Sequence, residues 1–522
     1  MNAARLQALK TLVREHKLFS AALAVGAFLR LLAVLGYPGA LWFAGDSYVY
    51  IGAALRPQPD LSKSTGYSLF LRALLPFHSF TLVTVLQHLM GLAVAVIIYV
   101  LLRRNNVSKL WSTAATLPVL LDGYMIEDEH LIMAEALFTF LLMLAMLLLL
   151  WSRDTKWWTA LIAGLLVGYA VDVRTEGAVV LVIFPLFLII HGWMTHGWKY
   201  LGGWLAAVAM AVGCFIPVGA YMSWFHSRTG HYGVSEATGF YLWGRVSSFA
   251  DCAVIKPTGK EAIICPTQPV SQRTPPGNWI WHAPPFHGTT VNPIGSPVTA
   301  ANNQLLTDFA IHAVEAQPLG YAKAVVKGTL LSFGFPRIAY PGGGTVYYYS
   351  FHLTYKTAKK NLLPPNTHVW IKGGTAYQDW LSYGHQAPGK VIKIFAAPIA
   401  IYQRLVFTYG PLLALILLVG LGGLFSLRLS RRPREIRLRW APRGTSMLPW
   451  VTAVALLITP IAIADFDYRY LLPVIPFACL AAGLGFAPAK RRSGPQDDAG
   501  DQSPVLAQEI DTGATSGVPT SS

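Results

Sequence analysis

The run LIMAEALFTFLLMLAMLLLLW, residues 131–151, holds a single ionisable side chain, Glu135, in a length that matches one crossing of a bilayer by a helix. Nine further apolar runs surround it, near residues 18–36, 81–102, 110–125, 157–173, 177–192, 200–224, 406–427, 446–464 and 470–487. The expectation is an all-α polytopic membrane protein with about ten transmembrane helices. The run at 110–125 is short and spans only a thin or tilted setting.

Composition agrees. Of 522 residues 54% are hydrophobic and 13% charged, against roughly 25% charged in a soluble domain, which excludes an ordinary cytosolic globular protein. The formal charge of +16 raises the question of nucleic acid, but the 41 Lys and Arg residues cluster between the apolar runs, so no nucleic-acid partner is expected. With the N-terminus in the cytoplasm, the inside loops receive Arg103, Arg104 and Lys109, then Arg153 and Lys156, then Lys199. After these come the basic loop of Arg428, Arg431, Arg432, Arg434, Arg437, Arg439 and Arg443, and the closing Lys490, Arg491 and Arg492. Both termini are then cytoplasmic. The opposite loops hold Asp46, Asp122, Glu127, Asp128, Glu129, Asp172, Glu176, Asp465 and Asp467, so acid collects on the outer face. The basic start at Lys10, Arg14 and Lys17 leads to no small-residue cleavage site and reads as a retained first helix.

The chain divides into an N-terminal transmembrane module (1–224), an extracytoplasmic mixed segment rich in Pro, Gly, Tyr and Trp (225–395), a C-terminal transmembrane module (396–487) and a disordered cytoplasmic tail (488–522). In the long segment Leu305, Leu306, Phe309, Ala310, Ala313 and Val314 recur at helical spacing, and Pro318 opens a second pattern through Val325, Val326, Leu330 and Leu331. These helices either pack a small domain on the bundle or lie in the membrane interface. Cys252 and Cys265, with twelve residues between them, lie where a disulfide can persist; a bridge and two free thiols both stay open. Cys214 and Cys479 fall in apolar runs, as buried free thiols do.

Chemistry gathers at the outer mouth. In Trp42-Phe43-Ala44-Gly45-Asp46-Ser47-Tyr48-Val49-Tyr50 a carboxylate beside apolar rings is poorly solvated, which raises its proton affinity and suits a general base; a helix-capping Asp is the alternative. Glu127-Asp128-Glu129-His130 leads to Glu135, and Asp128 and Glu135 share a helical face if the helix starts that early. Solvated acids at a helix start explain Glu127 to Glu129 but not Glu135, which enters the span. A divalent metal is possible on these oxygens, and His282 with His287 is a weaker metal signal. Arg174 and Arg469 each present a guanidinium that can grip a phosphate, or pair with an adjacent acid. Trp279, Trp281, Tyr347, Tyr348 and Tyr349 are either stacking platforms or interface anchors, and Gly342, Gly343 and Gly344 allow a loop to close. No Walker loop, dinucleotide fingerprint or HExxH helix is present.

These pieces resemble, in order, the membrane glycosyltransferases of the GT-C fold, the type that includes protein O-mannosyltransferases and aminoarabinose transferases. Gly45-Asp46-Ser47-Tyr48 is similar to the acidic first-loop motif and Thr65-Gly66-Tyr67-Ser68-Leu69-Phe70 to the segment after it. Met133-Ala134-Glu135-Ala136-Leu137-Phe138, Arg174-Thr175-Glu176-Gly177 and Tyr468-Arg469-Tyr470-Leu471-Leu472-Pro473 resemble the later motifs, and the likeness covers most of residues 18–487. Many members pair two acids in the first loop, where this chain has Gly45 and Ser47 beside Asp46. The segment with Gly239, Trp243, Arg245 and the two cysteines resembles uncharacterised bacterial members.

The resemblance implies a polyprenyl-phosphate-linked sugar donor drawn from the membrane lipid and an active site on the outer face. It implies Asp46 as base, Arg174 at the donor phosphate and Glu135 ordering an acceptor or a metal; the reading of the residues adds Arg469 as a second cation at the phosphate and Asp128 and Glu127 as further acceptor or metal-site acids. The acceptor, whether glycan, lipid or protein, is open. A bacterial plasma membrane suits the resemblance and the charges. Two rivals stand beside it: a lipid-linked sugar flippase or transporter, weakened by the lack of an internal repeat, and a non-catalytic assembly subunit.

Overall fold

A computed structural model describes residues 13–43, 45–152, 154–282, 298–342, 346–367, 373–385, 389–425 and 444–487, with Gln7, Lys10 and Thr11. The basic loop from Arg428 to Arg443, the triplet Lys490 to Arg492, the tail, Ala44, Arg153, His287, Gly343 and Gly344 lie outside the described residues, as do the side chains of Trp281 and His282.

Apolar sequence dictates helix here because every backbone amide in a bilayer must be satisfied within its own segment. In chain order the first half contains α1 (Lys17–Gly36), α2 (Asp46–Leu55), α3 (Gly66–Leu74), α4 (Phe80–Arg104), α5 (Lys109–Ala114), α6 (Leu117–Leu121), α7 (Gly123–Asp128), α8 (Glu135–Leu150), α9 (Trp157–Val173), α10 (Val180–His196) and α11 (Leu201–Thr229). The second half contains α12 (Thr238–Ser247), α13 (Ala300–Ala316), α14 (Pro318–Leu331), α15 (Lys393–Leu405), α16 (Gly410–Leu424), α17 (Gly444–Ile463) and α18 (Val474–Gly485). Among the described residues six helices are long and apolar enough to cross a membrane. The pair α15 and α16, bent by 62°, makes a seventh if taken as one broken span, and α8 and α9 are shorter apolar helices.

The expected count of ten spans therefore needs correction at the third run. Residues 110–125 form no continuous helix but break into α5, α6 and α7. Pro118 cannot donate a helical hydrogen bond, and Asp122 caps α7 by accepting from the amides of Tyr124 at 2.8 Å and Met125 at 3.2 Å. Its other oxygen accepts from the Thr408 amide at 2.6 Å, which ties this bend to the α15–α16 break.

Residues Met1–Ala487 form one compact unit. Its tightest helix pair is α9 with α11, where a Cβ on Gly164 would stand 2.2 Å from the Met210 carbonyl and one on Gly213 would stand 2.3 Å from the Leu161 carbonyl. Small residues there let the backbones touch, which is how helices pack where lipid supplies no hydrophobic drive. A second apolar cluster joins Trp243 and Phe240 of α12 to Leu306, Phe309, Ala310 and Ala313 of α13. The two helices expected at 305–314 and from Pro318 are thus α13, packed on α12, and α14, whose Leu319, Val326 and Leu330 are exposed. The Sγ atoms of Cys252 and Cys265 are 2.09 Å apart, a bonded disulfide beside this cluster, while Cys214 and Cys479 are free and buried.

Candidate active site

Asp46 opens α2 directly after Gly45, whose φ of +84° turns the chain into the helix. The loop before it is stitched to the acidic segment: the Leu41 amide donates to the His130 carbonyl and the Ile132 amide to the Leu41 carbonyl, both at 3.0 Å. The Ser47 hydroxyl adds a bond of 3.0 Å to the Ile132 carbonyl. These bonds fix the first-loop acid against the start of α8, so Asp46 and Glu135 belong to one rim of the bundle.

Two cations close on Asp46. The ammonium of Lys63 contacts Oδ1 and the guanidinium of Arg469 contacts Oδ2. Lys63 is aimed by an Asp turn, in which Asp60 accepts from the amides of Ser62 at 2.8 Å and Lys63 at 3.2 Å. Arg469 follows Asp467, which accepts its amide at 3.2 Å, and its guanidinium lies 5.2 Å from the rings of both Phe43 and Tyr470. Burial works to raise the proton affinity of Asp46, as the sequence suggests, but Lys63 and Arg469 outweigh it and hold the carboxyl well below the usual range. The expected raised value is thus corrected by two paired cations.

Arg174 is held differently. It contacts Glu135, lies 3.4 Å from Glu176, and shares Tyr470 with Arg469, its guanidinium 5.7 Å from that ring. Because Arg174 and Arg469 face the same Tyr470 ring, at 5.7 and 5.2 Å, the two ion-paired groups form one cluster. Asp128 and Glu135 do not share a helix, because α7 ends before α8 begins, yet both line a cavity of about 20 Å³ with Glu129 and Thr139. Glu127 and Asp128 are buried, each with one carboxyl oxygen lacking a hydrogen-bond partner, and burial pushes both up.

Among the described residues no three His, Cys, Asp or Glu side chains gather as metal ligands would. No step is assigned to a divalent metal.

Sequence reasoning missed three ionisable groups. Lys63 sits in a polar loop whose only signal is the Asp60 turn. Arg30 of α1 and His88 of α4 are ionisable residues inside spans, which is itself the signal, since such groups find partners. Arg30 pairs with Glu129, His88 Nδ1 lies 2.8 Å from Glu129, His88 Nε2 lies 3.0 Å from His130 Nδ1, and His130 Nε2 lies 2.8 Å from the Tyr37 carbonyl. Gly91 makes room, for a Cβ there would stand 1.8 Å from Glu129 Oε1. Of the outer aromatics, Tyr349 is stacked on Phe43 at 5.1 Å and donates to Asp467 at 2.9 Å, so it builds the wall behind Arg469. Trp279 packs near Trp243, and Arg245 joins α12 to the Asp465 loop at 3.7 Å.

Residues 60–232 match the family model described as dolichyl-phosphate-mannose-protein mannosyltransferase. No curated protein and no solved structure matches the chain. The matched stretch contains Lys63, Asp128, Glu135, Arg174 and Glu176, whereas Asp46 and Arg469 fall outside it and reach the same cluster through the fold. The chain is a multi-pass membrane protein whose residues 60–232 are similar to the dolichyl-phosphate-mannose-protein mannosyltransferases, a family of the GT-C fold.

Proposed function

We propose that the protein moves a sugar from a polyprenyl-phosphate donor to a hydroxyl acceptor on the extracytoplasmic side of a bacterial plasma membrane, with inversion at the anomeric carbon. The observation that carries this reading is the meeting of Asp46 with Lys63 and Arg469 beside the Arg174–Glu135 pair, at one rim of a bundle with a mannosyltransferase domain. A base and cations that meet a phosphate are the two parts such a transfer needs. Asp46 takes the acceptor's proton as its oxygen attacks the anomeric carbon, and the electron pair of the breaking bond stays on the phosphate. Charge grows on that phosphate, so fixed cations stabilise the transition state more than the ground state.

The buried Arg30–Glu129–His88 group is the one observation that favours a flippase, because transporters place charge within spans. That group is closed on itself by its own hydrogen bonds, while Asp46, Lys63 and Arg469 keep 17–19% of their surface open, which favours the transferase.

The test is release of labelled sugar from a panel of polyprenyl-phosphate sugars by protein in nanodiscs, with Asp46→Asn alongside and folding checked by circular dichroism. A loss of about 10² to 10⁴ in rate is expected for the variant. Equal turnover in both would remove Asp46 from the chemistry, and lipid-linked sugar crossing a proteoliposome membrane without hydrolysis or transfer would favour the flippase.

A further inference from the structure

Asp46 and a donor phosphate require the same two cations. Each carboxylate oxygen of Asp46 faces one of them, Oδ1 the ammonium of Lys63 and Oδ2 the guanidinium of Arg469. Neither cation comes from α2. All three side chains keep 17–19% of their surface open, with Arg469 Nε also 3.6 Å from Asp467, whereas Arg174 is 8% exposed, in contact with Glu135 and 3.4 Å from Glu176. A singly charged phosphodiester offers the same face as this carboxylate: two oxygens, each able to take one charge-assisted hydrogen bond. The cations free to be exchanged are therefore Lys63 and Arg469, and Arg174 is a supporting group.

Resting on the transferase reading above, we propose that an arriving lipid-linked sugar phosphate takes Lys63 and Arg469 away from Asp46, so that the carboxylate becomes available as a base only when donor is bound. In the free protein both oxygens of Asp46 are occupied and no acceptor hydroxyl can be deprotonated there. With donor in place the freed carboxylate accepts the hydroxyl proton, the acceptor oxygen bonds to the anomeric carbon, and the bond from that carbon to the phosphate oxygen breaks with its electrons on the phosphate. The product phosphate then carries a second negative charge and holds both cations, while protonated Asp46 no longer competes. Loss of that proton to water restores the competitor and helps to expel the lipid phosphate. Donor therefore binds first.

The exchange has a signature of unusual sign, readable without sugar or acceptor. Binding of a sugar-free polyprenyl monophosphate is measured for the full chain in nanodiscs, with the uncharged polyprenol as the control for chain affinity. Asp46→Asn removes the competitor, so it binds the phosphate about tenfold more tightly than wild type, while Lys63→Gln binds about tenfold more weakly. Asp46→Ala is the second variant and tightens binding in the same direction, which a misfolded or merely structural change would not do. Unchanged or weaker binding by both Asp46 variants, with wild type binding the phosphate over the polyprenol, overturns the exchange and leaves the transferase reading intact. No preference for phosphate over polyprenol in any form overturns both.

Discussion

Arg30 of the first span and Glu129 of the acidic segment, 99 residues apart, form a two-pronged ion pair: Nε donates to Oε2 and Nη2 to Oε1, both at 2.8 Å. The same guanidinium donates to the carbonyls of Gly26, Leu120 and Val119 at 2.9–3.3 Å, so one side chain clamps α1 to the broken third run. The clamp fixes Glu129, next to the His130 and Ile132 backbone that holds the Asp46 loop. A buried pair beside the rim thereby helps to hold the loop that carries the base.

Removing one partner of this pair strands a buried charge. Arg30→Met or Glu129→Leu alone is expected to lose about 3–5 kcal/mol of stability, while the double variant recovers most of it because two apolar groups leave nothing unpaired. Unfolding in detergent, followed by tryptophan fluorescence, checks this. Additive losses in the double variant would show that the two side chains do not act as a pair.

His130 makes stability pH-dependent. Burial, then the neighbouring His88, lowers its folded value to about 3 from an ordinary 6.5, so the unfolded chain binds the extra proton first. Its contribution is complete above about pH 6.5 and is lost as pH falls from there toward 3. Glu127 and Asp128, raised by burial, work in the opposite sense and favour the folded state in acid. The difference between wild type and His130→Asn isolates the histidine: melting temperature of wild type should fall more steeply between pH 6.5 and 4. Parallel curves would mean that His130 does not titrate on unfolding.

Long spans were legible because apolar length is a local property, and residues 81–102, within α4, carry it without any partner, whereas 131–151 gives only the shorter α8. The failure at residues 110–125 has a non-local cause, since Asp122 bends the chain by capping α7 while its second oxygen holds Thr408, 286 residues away. Asp46, Glu135, Arg174 and Arg469 could be named from residue type and sidedness. Their pairing could not, because Asp46 and Arg469 are 423 residues apart and each had a nearer oppositely charged candidate. Lys63 escaped notice since a lysine in a polar loop is ordinary until the Asp60 turn directs it.

The Cys252–Cys265 bridge closes a short loop against the cluster of Trp243, Ile264 and Phe309. Changing both to Ala is expected to cost about 2–4 kcal/mol, through an unfolded state freed of its cross-link. Peptide mapping with and without reductant identifies the bridged peptide, and thermal melts give the loss. Two free thiols in protein taken from an oxidising compartment would remove the bridge.

Arg174 separates two roles that the sequence left open. As a phosphate clamp its loss would weaken lipid-phosphate binding by itself; as a partner of Glu135 its loss would mostly strand a buried carboxylate. The structure favours the second, because Glu135 is 1% exposed and Arg174 is its contacting cation. Arg174→Gln and Glu135→Gln should each destabilise the protein by about 2–4 kcal/mol, and the double variant by no more than the worse single one, a coupling typical of buried charge pairs. Affinity for a sugar-free polyprenyl monophosphate should change less than threefold in Arg174→Gln, below about 0.7 kcal/mol. A larger loss of affinity with additive stabilities would return Arg174 to the phosphate and make the exchange at Asp46 a three-cation process.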